Sequence, residues 1–123
     1  MKYTLLVYET SEDFEGRRQG SQGPYVAAWR AYHQALLEAG AYVGGSALKE
    51  VATATTVRAK DGKRLVQDGP FAETKEQLGG FIILELPSLD AALSWAARCP
   101  AAATGAVEVR PLADDMHETI CNP

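Results

Sequence analysis

The chain is poor in the residues that build metal centres, disulfide frameworks and proton relays: it has two cysteines and two histidines in 123 residues. Cys99 and Cys121 stand far apart, in neither metal nor redox spacing, so no disulfide scaffold and no thiol-based redox motif is read here. Of the histidines, His33 lies in the body of the chain and His117 near its end. A His-based metal site therefore has too few ligands, and the acidic group Asp114, Asp115, His117 and Glu118 reads as a polar tail. Long apolar runs are also missing. The apolar runs, residues 5–8 and 81–84 among them, stay far below the roughly 20 residues of a membrane span. The first eight residues are too short an apolar run for a signal-peptide core, so the expected location is the cytoplasm. No cluster of Lys or Arg interrupts a formal net charge of −4, which argues against direct nucleic-acid binding. Phosphate loops are absent too: Gly44-Gly45 and Gly79-Gly80 lack the required spacing.

What is present is the balance of an ordinary folded domain, 46% apolar and 23% charged. The length suits one domain with a real core, read as residues 1–112 with a polar, loosely held tail over 113–123. Residues 2–8 alternate as a strand, with Tyr3, Leu5 and Val7 on one face and Thr4, Leu6 and Tyr8 on the other. Residues 9–23 are polar and glycine-rich and read as an exposed loop. Pro24 suits the first position of a helix in which Tyr25, Trp29, Tyr32, Leu36 and Ala39 form one stripe, closed by Gly40. A strand follows over 41–48, where Gly44-Gly45 suggests a bulge or a close backbone approach.

Asp61-Gly62 between two strand-like runs, 55–60 and 63–67, is a strong hairpin signal. Pro70 prevents that second strand from continuing. Thr74 and Gln77 have capping-box spacing for a turn or two of helix, stopped by Gly79-Gly80. Residues 81–86 read as a strand. Ser88 caps a second full helix, with Leu89, Leu93, Ala96 and Cys99 inward and Pro100 as its stop. Residues 105–111 alternate as a closing strand with one wet face or edge.

Without the hairpin, the order is β-α-β-β-α-β, so the fold class is α+β of the ferredoxin-like kind with an inserted hairpin. Two helices cover one face of such a sheet. Residues 5–8 and 81–84 are apolar on both faces, so the second face needs cover. A second copy packed sheet to sheet supplies it, which is the expectation of a homodimer. The alternative is that the hairpin and the loop over 9–23 fold across that face within one chain.

Three places could carry chemistry. His33 stands about 40° from Trp29 and about 60° from Leu36 around the helix, at the border of the apolar stripe, where it reads either as a partly buried histidine donating to a carbonyl or as an acid or base near neutral pH. Asp68 closes the hairpin at a strand end, either tying the Gly69-Pro70 turn or presenting a carboxylate to a ligand. The run from Glu73 to Glu76 reads as a solvated helix start, or as backbone donors that hold an anion together with Lys75. Tyr25, Trp29, Tyr32 and Phe71 are core or pocket aromatics.

The segment DGPFAETKEQLGGF, residues 68–81, resembles the signature of the DGPF-type, YCII-related proteins. The likeness runs on through residues 1–8, 52–57, 90–98 and 107–111. It implies a dimeric α+β barrel. It also implies a pocket shared by a helix histidine, matched here by His33 in His33-x-x-Leu36-x-x-x-Gly40, and by Asp68. Gly69, Pro70, Phe71, Lys75 and Tyr32 are the ligand-binding residues expected around them. The resemblance names no reaction. Relatives are described as enzymes or linked to alternative sigma factors. Two functional expectations follow: an enzyme using Asp68 and His33 as an acid–base pair without a cofactor, or a ligand-binding or regulatory module. A scaffold without a pocket is a third.

Overall fold

The computed structural model describes residues 1–122. Its main sheet has four antiparallel strands in the order β2-β5-β1-β6: β1 Lys2–Glu9, β2 Tyr42–Ala47, β5 Gln77–Glu85 and β6 Ala106–Pro111. The hairpin, β3 Thr55–Lys60 with β4 Lys63–Asp68, forms a separate two-stranded sheet. Its turn places Asp61 and Gly62 at φ 52° and 75°, the primed-turn geometry that suits Asp-Gly. Helices α2 Pro24–Glu38 and α3 Leu89–Arg98 pack on one face of the main sheet. The fold is thus α+β and ferredoxin-like, as the residue pattern predicts.

Alternation in β1 buries Tyr3, Leu5 and Val7 against the helices. Leu5 pairs with Ile82 and Tyr3 with Leu84, so two neighbouring strands share one inner face. From α2, Tyr32 and Leu36 enter this core, with Trp29 half-buried beside them. On α3 the buried residues are Ala92 and Ala96, not the leucines: Leu89 and Leu93 remain about half exposed. Small side chains let this helix approach the sheet closely, and Trp95 fills the adjoining space.

Four other expectations are corrected. Residues 9–23 are not an exposed loop, because Ser11–Arg18 forms helix α1. Thr10 and Asp13 make a reciprocal capping box, and Asp13 also accepts from the Thr104 hydroxyl at 2.7 Å. Buried Phe14 and the side-chain bonds of Arg17 supply the tertiary hold that a short polar helix needs. Thr74 caps no helix; its hydroxyl donates to the Glu76 carbonyl, and the Gln77 amide donates to the Thr74 carbonyl. Gly79-Gly80 does not stop a helix, since both glycines are buried inside β5. Finally, Asp114–Cys121 of the tail is helix α4, with Met116 and Ile120 exposed; Pro123 lies outside the described residues.

Gly44-Gly45 does mark a bulge: the register with β5 shifts between Tyr42 and Gly44. A Cβ on Gly45, whose φ is +154°, would meet the Phe81 carbonyl. On the outer face, Leu6 pairs with Phe81 and Thr4 with Ile83. The hairpin pairs with no strand of the main sheet, and α1 packs against α2 and β1.

Candidate functional site

A cleft of about 520 Å³ opens between α2 and the strands β1, β2 and β5. That volume holds a one- or two-ring molecule. Trp29 and Tyr42 line it, with His33, Arg30 and Gln34 from α2 and the bare backbone of Gly79-Gly80 from β5. Tyr25, Trp29 and Tyr32 meet edge to face along the helix, and His33 meets Tyr42 the same way at 4.7 Å between ring centres.

Glu9 forms the floor, at 2% exposure. It continues the inward alternation of Tyr3, Leu5 and Val7, so β1 ends by sending a carboxylate into the core. Such burial needs a cation and donors. Arg17 provides both, through Nε to Oε2 at 3.4 Å and through Nη2 to Oε1. The Tyr25 hydroxyl donates to Oε2. Arg17 also donates to the carbonyls of Gly79, at 2.6 Å, and Leu48. Gly79 is required by space, because a Cβ there would collide with Glu9 Oε1. Burial raises the Tyr25 phenol above its ordinary value, and the bond to Glu9 adds to the effect. Burial also raises Tyr32, whose hydroxyl donates to the Trp95 carbonyl at 2.7 Å.

The residues singled out from the sequence fall into three places. His33, exposed at the rim, and Tyr32, buried in the wall, line this cleft. Gly69, Pro70 and Lys75 line a second, wider cleft beside α1, bordered by Glu50, Glu73 and again Glu9. Asp68 and Phe71 line neither. Asp68 is exposed at the end of β4 and makes no side-chain hydrogen bond among the described residues. The turn after it is held instead by Gly69 N–H to the Ala54 carbonyl and by the Thr56 hydroxyl to the Gly69 carbonyl, both at 2.8 Å. Phe71 is 74% exposed beneath the Arg58 guanidinium. Within one chain, then, His33 and Asp68 share no cavity.

Sequence reasoning missed Glu9, Arg17 and Tyr25 as a set. The inward period of β1 could have flagged Glu9, a carboxylate at a core position. Arg17 carried no such signal.

An antiparallel 2-5-1-6 sheet backed by two helices, with a cleft along one helix, defines a ferredoxin-like α+β pocket protein. A YCII-related domain matches residues 1–114, so the chain belongs to the YCII-related family. An uncharacterised protein of Rhizobium meliloti (strain 1021) is 45% identical over 115 residues, 92% of this chain and 93% of that one. Among solved structures, 5-chloro-2-hydroxyhydroquinone dehydrochlorinase (TftG) from Burkholderia phenoliruptrix AC1100, in complex with 2,5-dihydroxybenzoquinone, shares the fold. Its TM-score is 0.51 at 19% identity, over 91% of this chain and 93% of that chain. Among the described residues, no helix is long and apolar enough to cross a membrane.

Proposed function

We propose that this YCII-related protein is a cytoplasmic homodimeric enzyme that binds a small planar metabolite in the α2 cleft, with His33 as its acid–base group. The observation that carries this reading is the cleft itself, where a titratable rim residue faces an aromatic lining above a buried charged floor. The shared fold adds support, because a protein of that fold is a dehydrochlorinase with a small ring compound bound. The dimer reading rests on the outer sheet face, where Leu6 and Ile83 are half-buried and Phe81 is exposed, while the hairpin forms a sheet of its own. Asp68 enters the reaction through that dimer: a second copy brings its hairpin, and with it Asp68, to the cleft mouth. No cofactor is part of the proposal.

The test is a thermal-shift screen of small metabolites, followed by turnover assays on the binders. His33→Ala and Asp68→Asn should each lower turnover by about a hundredfold or more, the usual weight of a general acid or base, while binding survives. If both variants turn over every binder as fast as the parent, the acid–base reading falls. A second reading, a binding or regulatory module linked to transcription control, is favoured by the separation of His33 and Asp68 within one chain. Under it, metabolites bind and are recovered unchanged.

A further inference from the structure

The hairpin β3-β4 is a ribbon exposed on both faces. Of its strand residues only Thr56 is even half-buried, and Val57 and Val66, paired across one face, are each more than half exposed. A two-stranded hairpin alone is marginally stable in water, so this one gains from a partner. Its charge is also out of balance. Residues 55–68 hold four of the chain's twelve cations, Arg58, Lys60, Lys63 and Arg64, but only two of its sixteen acids, Asp61 and Asp68. Four cations against two acids make the ribbon +2, and the eight against fourteen left elsewhere make the rest of the chain −6. The cations gather toward the tip, where Lys60 stands directly opposite Lys63, and like charges so placed destabilise a hairpin. None of the four forms an ion pair among the described residues. Lysines on a strand edge discourage an added strand, so the tip meets its partner through side chains.

The cleft beside α1 is the complement. Its volume is about 840 Å³, and beyond the neutralised Glu9 it is lined by Glu12, Glu15, Glu50 and Glu73 against two cations, Arg18 and Lys75. Arg18 pairs with Glu15 and Glu50. Glu12 and Glu73 are exposed and form no ion pair among the described residues. The hairpin's own root, at Val51, Ala52, Gly69 and Pro70, forms another wall of this cleft, whereas residues 55–68 do not line it. Six residues of strand carry the tip about 20 Å from that root, so a chain does not fill its cleft with its own tip.

A two-fold axis resolves both features at once. Two hairpins laid side by side, head to tail, put each cationic tip at the other's acidic root, and the two contacts form together. We propose that the hairpin is a dimer arm: Lys60 and Lys63 of one copy seat against the partner's Glu12 and the partner's Glu73 in the cleft beside α1, and the Val57–Val66 pairs are covered between the arms. This rests on the paired copies proposed above.

The test is a charge swap in the full chain, read as the dimer dissociation constant by sedimentation equilibrium. Lys60→Glu with Lys63→Glu, and separately Glu12→Lys with Glu73→Lys, should each weaken the dimer about tenfold or more, because like charges then face each other across the contact. All four substitutions together should restore the parent's affinity. The four positions are exposed, so the variants keep the fold. If neither pair of substitutions moves the constant, the arm is overturned and the paired copies stand, held by the sheet face; a tip that serves its own chain or an anionic macromolecule gives this result. If each pair weakens the dimer and the combination does not recover it, these residues do not meet and the arm is again overturned. A parent that is monomeric at every concentration overturns the arm and the paired copies together.

Discussion

Replacing Arg17 by Met tests whether Glu9 is held in the core by its charge partner. The guanidinium supplies Glu9 with two hydrogen bonds and its counter-charge, and it also binds the Gly79 and Leu48 carbonyls. Removing one partner of a buried ion pair costs about 3–5 kcal/mol, because the other charge is stranded. Here Tyr25 still donates, and the Arg17 side chain is 25% exposed, so water can approach the gap. The low end, about 3 kcal/mol, is expected. For a domain of this length that is a fall in Tm of about 10–12 °C.

Glu9→Gln keeps the shape and leaves Arg17 a neutral acceptor, at a cost of about 1.5 kcal/mol. In the double variant no charge is stranded, so the loss should be about 3 kcal/mol rather than the additive value of about 4.5. The coupling of about 1.5 kcal/mol is the quantity of interest, measured by urea unfolding of all four proteins. Strict additivity, or an Arg17→Met variant as stable as the parent, would show that the ion pair does not hold Glu9 in place.

Gly79→Ala should destabilise by about 1–3 kcal/mol, the range for overpacking, because the new methyl displaces the Glu9 carboxylate; chemical denaturation checks this, and an unchanged midpoint refutes the spatial argument. Alkali should unfold the protein through its buried acids. Burial pushes the Cys99 thiol up to about 11 from 9.0 and raises Tyr25 and Tyr32 above 10.0. Groups with raised folded values stabilise fully below their unfolded values, so stability should hold to pH 9 and fall as pH climbs through 9–11 and beyond. Cys99→Ala should flatten the fall across 9–11 and Tyr25→Phe the fall above 10.0, both read from Tm against pH; unchanged slopes would remove these groups as the cause. Ile83→Glu puts a charge in the middle of the outer sheet face and should yield monomers by light scattering at micromolar concentration, where the paired-sheet proposal expects the parent to be a dimer; a monomeric parent refutes that proposal.

Much of the fold was legible in local pattern. The alternation of β1, the stripe of α2, the Asp-Gly hairpin and the Ser88 cap each appear where their residues predict. Helix α1 was not legible because Phe14 is the lone large apolar residue in SEDFEGRR, so no stripe could be counted. On α3 the pattern placed Ala96 and Cys99 inward, as found, but misled at Leu89 and Leu93, which stay half exposed while close packing on the sheet buries Ala92. The DGPF segment pointed to Asp68 and to Gly79-Gly80, but not to why glycine must stand at 79.

By itself, the order of amino acids determined the element types, the ferredoxin-like succession and the family, because period, caps and turns are properties of neighbouring residues. Tertiary structure alone decided the cleft. Glu9, Arg17, Tyr25 and Gly79 come from β1, α1, α2 and β5, and their chemistry exists only where these elements converge. The reason is physical: a buried carboxylate tolerates its position only through partners brought to it in space, and no local period records which distant residues those will be.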